Sequence, residues 1–491
     1  MSHPLQPAEY RELLCQALDE AVDADTRLPD PHSLFMPDSH RTALYVDNTV
    51  VLGGRGVGKT FWYRSLLDDR LRAYAAAEYR INRLNRLTVA PGHGKDMDSA
   101  HYPSGMLLTR LIDDGTDPYT LWYAVLLTAL GQPDVCALAE WRDRAAWVHS
   151  HPGPAQLAVE HEDRAGHADN VVRLLLFDAL EHLHRQPAQR DRVVGALLQL
   201  ALEMRLSTRT IRFKVFLRPD MFRSAEMHFP DASKLASTST ELLWEPVGLY
   251  GLLFHTLGNQ EDEAAQRFRA SSGGWDPADG GDRYVPPPGL SGDRREQANF
   301  FTQLAGPYMG SNFRKGSTYS WLPNHLMDGN EQISPRSFLK ALATAAAVTR
   351  DEYGTHEHAL YHESIRRGVQ KASEIRVREM TEDIPWVGTS VALLAGRKVP
   401  IERSEIRECW EEAGLPDLLR AEAERFTVEA EAGIPEQLRT GPRDPDDLDA
   451  LIDDLVALGV MKKRTDDRLD LPDIYRVHLR IGRLGGVRKA S

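Results

Sequence analysis

Cysteine is scarce: Cys15, Cys136 and Cys409 are the only three in 491 residues, widely spaced and odd in number. That argues against a disulfide framework and for a reducing compartment. Long apolar runs are missing as well. None approaches the ~18 residues a membrane span needs. The start, MSHPLQPAEYRELL, lacks the basic-then-apolar pattern of a signal peptide. A cytoplasmic protein with no membrane partner is expected. Positive charge is in deficit, 59 Lys and Arg against 72 Asp and Glu, a net −13 that speaks against a general nucleic-acid coat. The six histidines His149, His151, His161, His167, His182 and His184 match no zinc spacing such as His-Glu-x-x-His and read as solvated loop residues. What is abundant is apolar content, 42%, beside 27% charged residues, enough for large packed cores. The length suggests about three domains of ~150 residues.

The most informative stretch is GGRGVGKT, Gly53 to Thr60, between the apolar run Thr49–Leu52 and FWYRSLL. Gly53, Gly58, Lys59 and Thr60 satisfy G-x-x-x-x-G-K-[ST], with Gly54 and Gly56 as further glycines. Glycines let successive backbone N–H groups turn inward on a phosphate chain, and the following helix adds its positive end. Gly53, Gly54, Arg55, Gly56, Val57, Gly58, Lys59, Thr60 and Phe61 are the expected nucleotide-binding residues. Lys59 reaches the β- and γ-phosphates, and the Thr60 hydroxyl is a Mg²⁺ ligand.

The second signal is VVRLLLFDALEHL, Val171 to Leu183. Its apolar run suits a parallel strand buried on both faces. Asp178 follows at the carboxyl end, where open α/β sheets bind ligands. After a phosphate loop it reads as the second Mg²⁺ ligand, with Glu181 the candidate to orient or deprotonate the attacking water. The same Asp-x-x-Glu spacing would also serve as a helix capping box. Next, IRFKVFL (Ile211–Leu217) is a strand ending in Arg218-Pro219-Asp220. Arg218 would reach the γ-phosphate and stabilise departing charge; the alternative is a pair with Asp220.

The rest is coarser. Tyr10–Val22 reads as an amphipathic helix, Phe61–Tyr79 as one long helix, Arg86–Val89 as a second strand, Tyr119–Leu130 and Ala188–Leu206 as helices, and Glu241–Trp244 as a fifth strand. Residues 90–105 read as a loop without a motif. The Gly-, Pro- and Asp-rich stretch 271–295 reads as a linker or mobile loop. Ser334 and Pro335 suit the start of a helix, with Arg336 in its first turn. Near the end, Arg403–Ala413 and Asp446–Leu458 read as helices and Val460–Leu471 as a hairpin. From Lys462 to Ser491 there are nine Lys and Arg against four Asp. That local excess suits phosphate contacts on nucleic acid or the solvated edge of a protein-contact domain; the second reading is preferred.

VLGGRGVGKT, LLLFDALEHL, FKVFLRPDMF and ELLWEPVGLYGLLFHTL, taken in order, resemble the bacterial STAND/KAP-like branch of P-loop ATPases, relatives of the AAA+ group. The resemblance spans most of residues 40–350. It departs at position 179, an Ala where the branch carries an acid next to Asp178, and in an insertion after strand two. It implies an α/β fold, a P-loop NTPase parallel sheet flanked by helices, then a helical lid and a C-terminal winged-helix-like domain. The implied parts are an N-terminal helix and linker (1–39), NTPase core (40–270), linker (271–295), lid (296–384) and winged helix (385–491). It implies ATP and Mg²⁺ as ligands, with Arg336 as a lid arginine touching the γ-phosphate. The expected function is an ATPase acting as a nucleotide-dependent switch or assembly motor, in antiphage defence with a separate effector protein or as a homo-oligomer. The guanine-reading Asn-Lys-x-Asp pattern is absent, which favours adenine. The alternative is a DNA-binding or protein-interaction scaffold whose nucleotide is structural, with nucleic acid contacting residues 462–491.

Overall fold

The apolar runs become strands of one parallel sheet: β1 (Val50–Leu52), β2 (Leu87–His93), β3 (Val172–Phe177), β4 (Ile211–Leu217) and β5 (Thr240–Glu241). The structure is a computed structural model and describes residues 5–22, 28–184, 187–226, 229, 231–278, 281–422, 442 and 444–484. The strand order is β2-β3-β4-β1-β5, every neighbouring pair parallel. β4 is buried along its whole length and β3 at all but one residue, as strands covered on both faces must be. Phe177 and Phe213 stack at 5.4 Å, and the Trp122 edge meets Phe177 at 5.7 Å. Trp122 lies in the helix Pro118–Ala129 and donates its indole N–H to the Val193 carbonyl of the helix Pro187–Ser207, at 2.9 Å.

On the opposite face of β4 one of the buried residues is a lysine. Lys214 donates to the carbonyls of Ala43, Tyr45 and Asn48 at 2.7, 3.1 and 2.9 Å. A buried ammonium is tolerated only when its donors are satisfied. Here they clamp the turn that leads into β1. Burial pushes the Lys214 pKa down to about 7, with only the Asp47 carboxylate opposing.

Three expectations are corrected in this part of the chain. Phe61–Tyr79 is two helices, Lys59–Leu67 and Asp69–Glu78. The break is at Asp68, which takes an extended backbone and accepts the Leu71 N–H as an N-cap at 2.9 Å, worth about 1 kcal/mol. The 90–105 stretch is not all loop, because β2 runs on to His93 beside β3. The fifth strand is shorter than Glu241–Trp244 and begins one residue earlier. Between β2 and β3 lies the helical insertion, whose helices include Gly105–Asp113, Trp141–Ser150 and Pro152–Asp169.

Contacts divide the chain into two compact units, Asp25–Leu243, and Met1–Ala24 together with Trp244–Ser491. The sheet unit therefore ends at Leu243, ahead of the expected 270. The N-terminal helix Pro7–Val22 belongs with the C-terminal residues. Its buried Arg11 explains why: the guanidinium donates to the carbonyls of Gly354, His358 and Ala359 at 2.8, 3.0 and 3.1 Å.

That second unit is helical around an aromatic cluster. Tyr250 stacks on Tyr319 at 4.1 Å and meets Phe301 and Phe338 edge-on at 4.9 and 5.1 Å. The 271–295 stretch carries structure of its own. Asp276–Pro277 pairs antiparallel with Tyr284–Val285, and the Asn259 amide binds both the N–H and the carbonyl of Tyr284. Composition misled there, because one buried Asn and the Trp275 ring against Phe268 supply partners that a polar stretch does not advertise. The C-terminal hairpin is present, Lys462–Lys463 against Leu469–Asp470. The helices Arg403–Glu412 and Leu448–Ala457 precede it, and Gly459 closes the latter with φ 73°. The expected winged helix falls partly outside the described residues, as do Arg488 and Lys489.

Candidate functional site: a phosphate loop facing two carboxylates

β1 delivers the chain into the glycine loop. The Gly53 N–H bonds the Leu217 carbonyl at 3.0 Å, tying the loop to the end of β4. A Cβ on Gly53 would lie 2.6 Å from the Val57 side chain. Gly56 and Gly58 have φ of 76° and 105°, in the left-handed region where L side chains are strained. Gly54 is different: a Cβ there meets nothing within 4 Å. Gly58 is the N-cap of the helix Lys59–Leu67, so that helix's positive end opens onto the loop.

Lys59 folds back over the loop. Its Nζ donates to the Gly53 and Gly54 carbonyls, each at 2.8 Å. The next residue, Thr60, donates its hydroxyl to Asp178 Oδ2 at 2.7 Å. Residues 118 apart in sequence thus meet because β3 ends level with the start of that helix.

Asp178 is buried, 2% exposed. The capping-box alternative does not describe it. Ala179, with φ 58°, is the N-cap of the short 3-10 turn Leu180–His182, and no side chain caps that turn. The two carboxyls titrate in opposite directions. Burial and the neighbouring Glu181 charge push Asp178 up against the pull of Thr60 and Lys59. Glu181 is also pushed up by burial, but Lys59, its own backbone N–H, His182 and Arg218 outweigh that and leave it lowered. Lys59 is lowered by burial, with Glu181 and Asp178 opposing. These are mutual effects, so Lys59, Asp178, Glu181 and Arg218 form one electrostatic cluster. A pair of carboxyls driven apart in pKa gives two acids of one site different tendencies to hold a proton.

Arg218 stands at the end of β4, and its guanidinium binds Asp220 through two bonds at 3.1 and 3.2 Å. Asp220 is pushed up by burial but held low overall by Arg218. Arg218 thus forms the expected pair with Asp220 while its charge also acts on Glu181 and Lys59. Arg336 lies in the other unit, in the first turn of the helix Pro335–Glu352, and bonds Glu379 Oε1 at 2.9 Å.

One residue at the site escaped the sequence reading. His93, at the end of β2, is 3% exposed, and its Nδ1 lies 2.9 Å from the Asp178 carbonyl. In sequence it is a His between two glycines, Gly92 and Gly94, beyond the expected strand Arg86–Val89. Burial lowers its pKa, with the bond to Asp178 opposing. Of the six clustered histidines, His149, His151, His161, His167 and His182 are exposed, while the buried His184 binds Asp113 at 3.0 Å. Among the described residues no group of three or more His, Cys, Asp or Glu side chains gathers as a metal cluster. The donor set that fits Mg²⁺ is the oxygen pair Thr60 and Asp178, beside the loop. Hard cations take oxygen ligands, and Mg²⁺ is commonly held by one or two protein groups plus substrate phosphates.

The basic residues near the C-terminus are largely neutralised. Lys462 pairs with Glu331 at 2.6 Å, Lys463 with Asp467 at 2.8 Å, Arg468 with Asp466 at 2.7 Å, and Arg483 with Asp470 at 3.0 Å. Arg464 and Arg476 also have acids, Asp470 and Asp473. No helix among the described residues is long and apolar enough to cross a membrane.

Glycine loop, helix and strand-end aspartate together define the α/β class of P-loop folds, a parallel sheet flanked by helices. No protein-family model matches the chain, and no curated protein matches it. Among solved structures, the chain is similar to the Aeropyrum pernix ORC2 protein in its ADPNP–ADP complexes, with 13% identity over 94% of this chain and 95% of that one and a TM-score of 0.40. The ADP form of that protein matches with 13% identity, 92% and 93% coverage and a TM-score of 0.33. Neither likeness bears on function.

Proposed function

We propose that the protein is a P-loop ATPase that binds ATP with Mg²⁺ at Gly53–Phe61, Asp178, Glu181 and Arg218 and uses the γ-phosphate as a switch. One observation carries this reading. Lys59 and Thr60, adjacent in sequence, are turned to two separate tasks. One is held by carbonyls at the rim of the loop, the other by the carboxylate at the end of β3.

The division of labour follows from the geometry. Carbonyl oxygens are weak partners for an ammonium, so Lys59 can exchange Gly53 and Gly54 for charged phosphate oxygens without breaking an ion pair. Thr60 and Asp178 would hold the Mg²⁺, which supplies charge neutralisation at the phosphates. Glu181, kept ionised beside Lys59, would accept a proton from the attacking water. Arg218 would stabilise charge on the departing phosphate, giving up part of its hold on Asp220.

The discriminating experiment measures phosphate release from the unmodified protein, Lys59→Ala and Glu181→Gln. Equal rates in all three would sink the ATPase reading. A second reading has one observation in its favour. The residue after Asp178 is Ala179, so the nearest acid is three residues on, in a separate turn. On that reading nucleotide binds and is not turned over, and nucleotide would stay unhydrolysed in the purified complex. The wider role, a switch in antiphage defence acting on a separate protein effector, is carried by the family resemblance alone and needs a partner captured in a nucleotide-dependent way.

A further inference from the structure

We infer that His93 is a positioning residue for Asp178, and through it for the divalent cation that Asp178 and Thr60 would hold. This rests on the nucleotide-binding reading above. β2 and β3 pair in parallel as far as His93 beside Phe177, with one irregularity at Gly92 that shifts the register between Pro91 and His93. The Asp178 N–H then donates to the His93 carbonyl at 3.0 Å. Past that bond the strand pairing has ended, and the chain after β3 turns at Ala179 with its φ of 58°. The imidazole continues the pairing in place of a backbone amide, its Nδ1 lying 2.9 Å from the Asp178 carbonyl. A carbonyl only accepts, so Nδ1 carries the proton. One residue thus grips both backbone groups of Asp178, whose carboxylate is held by Thr60.

The ring itself is fixed. It lies against Tyr102 at 5.3 Å and meets Trp122 edge-on at 6.3 Å. The neighbouring glycines are packed tightly: a Cβ on Gly92 would collide with the Phe177 ring, and one on Gly94 with the Tyr63 hydroxyl. Further along, the loop is tied on two sides. Asp96 binds Arg64 of the helix Lys59–Leu67 at 3.1 Å, and its carbonyl accepts the Tyr102 hydroxyl at 2.6 Å. Trp141 and Arg144, of the helix Trp141–Ser150, donate to the Ser99 and Ala100 carbonyls at 3.0 and 3.2 Å. The helical insertion therefore braces the loop that follows the ring. A residue that orients a ligand through its backbone acts on metal affinity more than on nucleotide affinity. Partners of this kind typically contribute about 10–100-fold.

The test uses the full chain, ADP and Mn²⁺, with free Mn²⁺ read by its electron paramagnetic resonance signal. ADP affinity is measured separately in chelator. His93→Leu removes the donor. His93→Gln places an amide nitrogen near the Nε2 position, and His93→Asn places one near Nδ1. Leu and Gln should weaken Mn²⁺ binding in the presence of ADP about 10–100-fold, leave metal-free ADP affinity within about twofold, and be rescued by Asn. Should Leu fail to fold, the Gln and Asn pair decides alone. Unchanged Mn²⁺ affinity in Gln, equal behaviour of Asn and Gln, or a matching loss of metal-free ADP binding would each overturn the inference. An unmodified protein that binds neither ADP nor Mn²⁺–ADP would overturn the nucleotide-binding reading itself, which separates the two failures.

Discussion

Lys59 in the glycine loop makes no ion pair among the described residues; its partners are two backbone carbonyls at 2.8 Å. At the C-terminal hairpin and just beyond it, Lys462, Lys463, Arg464, Arg468, Arg476 and Arg483 each face an acid within 4.0 Å. Counted in sequence, the hairpin is the basic place and the loop carries little charge. Counted in space, the ranking reverses. A cation already matched to a carboxylate must give up that pair before it meets a phosphate, while one resting on carbonyls gives up less. Surface pairs like those of the hairpin are worth about 0–1 kcal/mol each and weaken with salt. The groups of the loop are partly desolvated, so the same unit of charge acts there at lower effective dielectric. Local charge excess alone is therefore a poor guide to where an anion binds.

Removing the loop's charge should have the largest effect. Lys59→Ala is expected to lower phosphate release by about 10³-fold, and Asp178→Asn by a comparable factor, judged against losses of single charge-stabilising groups. Residual turnover within tenfold of the unmodified protein would contradict the contrast. Glu181→Gln should cost about 10²-fold or more in kcat while leaving ATP affinity near its original value, the signature of a base rather than a binding group.

The next effects are on stability, and separate buried from exposed cations. Lys214→Met leaves the carbonyls of Ala43, Tyr45 and Asn48 without their donor. Each unsatisfied buried group costs about 1–3 kcal/mol, so a fall in melting temperature of several degrees is expected, measurable by circular dichroism. An unchanged melting temperature would mean that the clamp does not matter. A related effect depends on pH. Buried His40 accepts the Trp62 indole N–H at 3.0 Å, and burial lowers its pKa to about 3 from an ordinary 6.5. Its folded-state pKa lies below the unfolded one, so the unfolded chain binds more protons between those values. Stability is full above pH 6.5 and declines as pH falls toward 3. His40→Asn should flatten the drop in melting temperature between pH 7 and pH 5; an equally steep drop would assign it to other groups.

At the hairpin the effects should be smallest. Lys462→Ala is expected to change stability by less than about 0.5 kcal/mol. Any binding to single- or double-stranded DNA should be weak, with a salt slope that this substitution leaves unaltered. A slope reduced by about one would put the hairpin back among phosphate-contacting surfaces.

Much of the sheet unit was legible along the chain because its signals are local. VVRLLLF and IRFKVFL mark buried strands by apolar continuity, and GGRGVGKT marks its turn by residue type. Misreadings fell where one side chain decided. Asp68 divides a helix that apolar spacing alone would run through. Asn259 and Trp275 hold a stretch that composition labels a linker. His93 was invisible because a lone histidine between two glycines carries no periodicity. Its importance comes from an 85-residue separation closed by strand pairing to Asp178.

By itself, the sequence determined which residues could form a phosphate loop, since glycine adopts the φ values at Gly56 and Gly58 without strain and this order places Lys59 and Thr60 at a helix start. It also determined that the strands before Asp178 and Arg218 would be buried. The tertiary structure alone decided that Thr60 faces Asp178 and that Lys59 rests on carbonyls while the hairpin's cations meet acids. It also assigned the first helix to the C-terminal unit. The physical reason is that a side chain's identity is written locally. Its partner, and with it the free energy of its charge, depends on which distant segments the sheet and helices bring within about 3 Å.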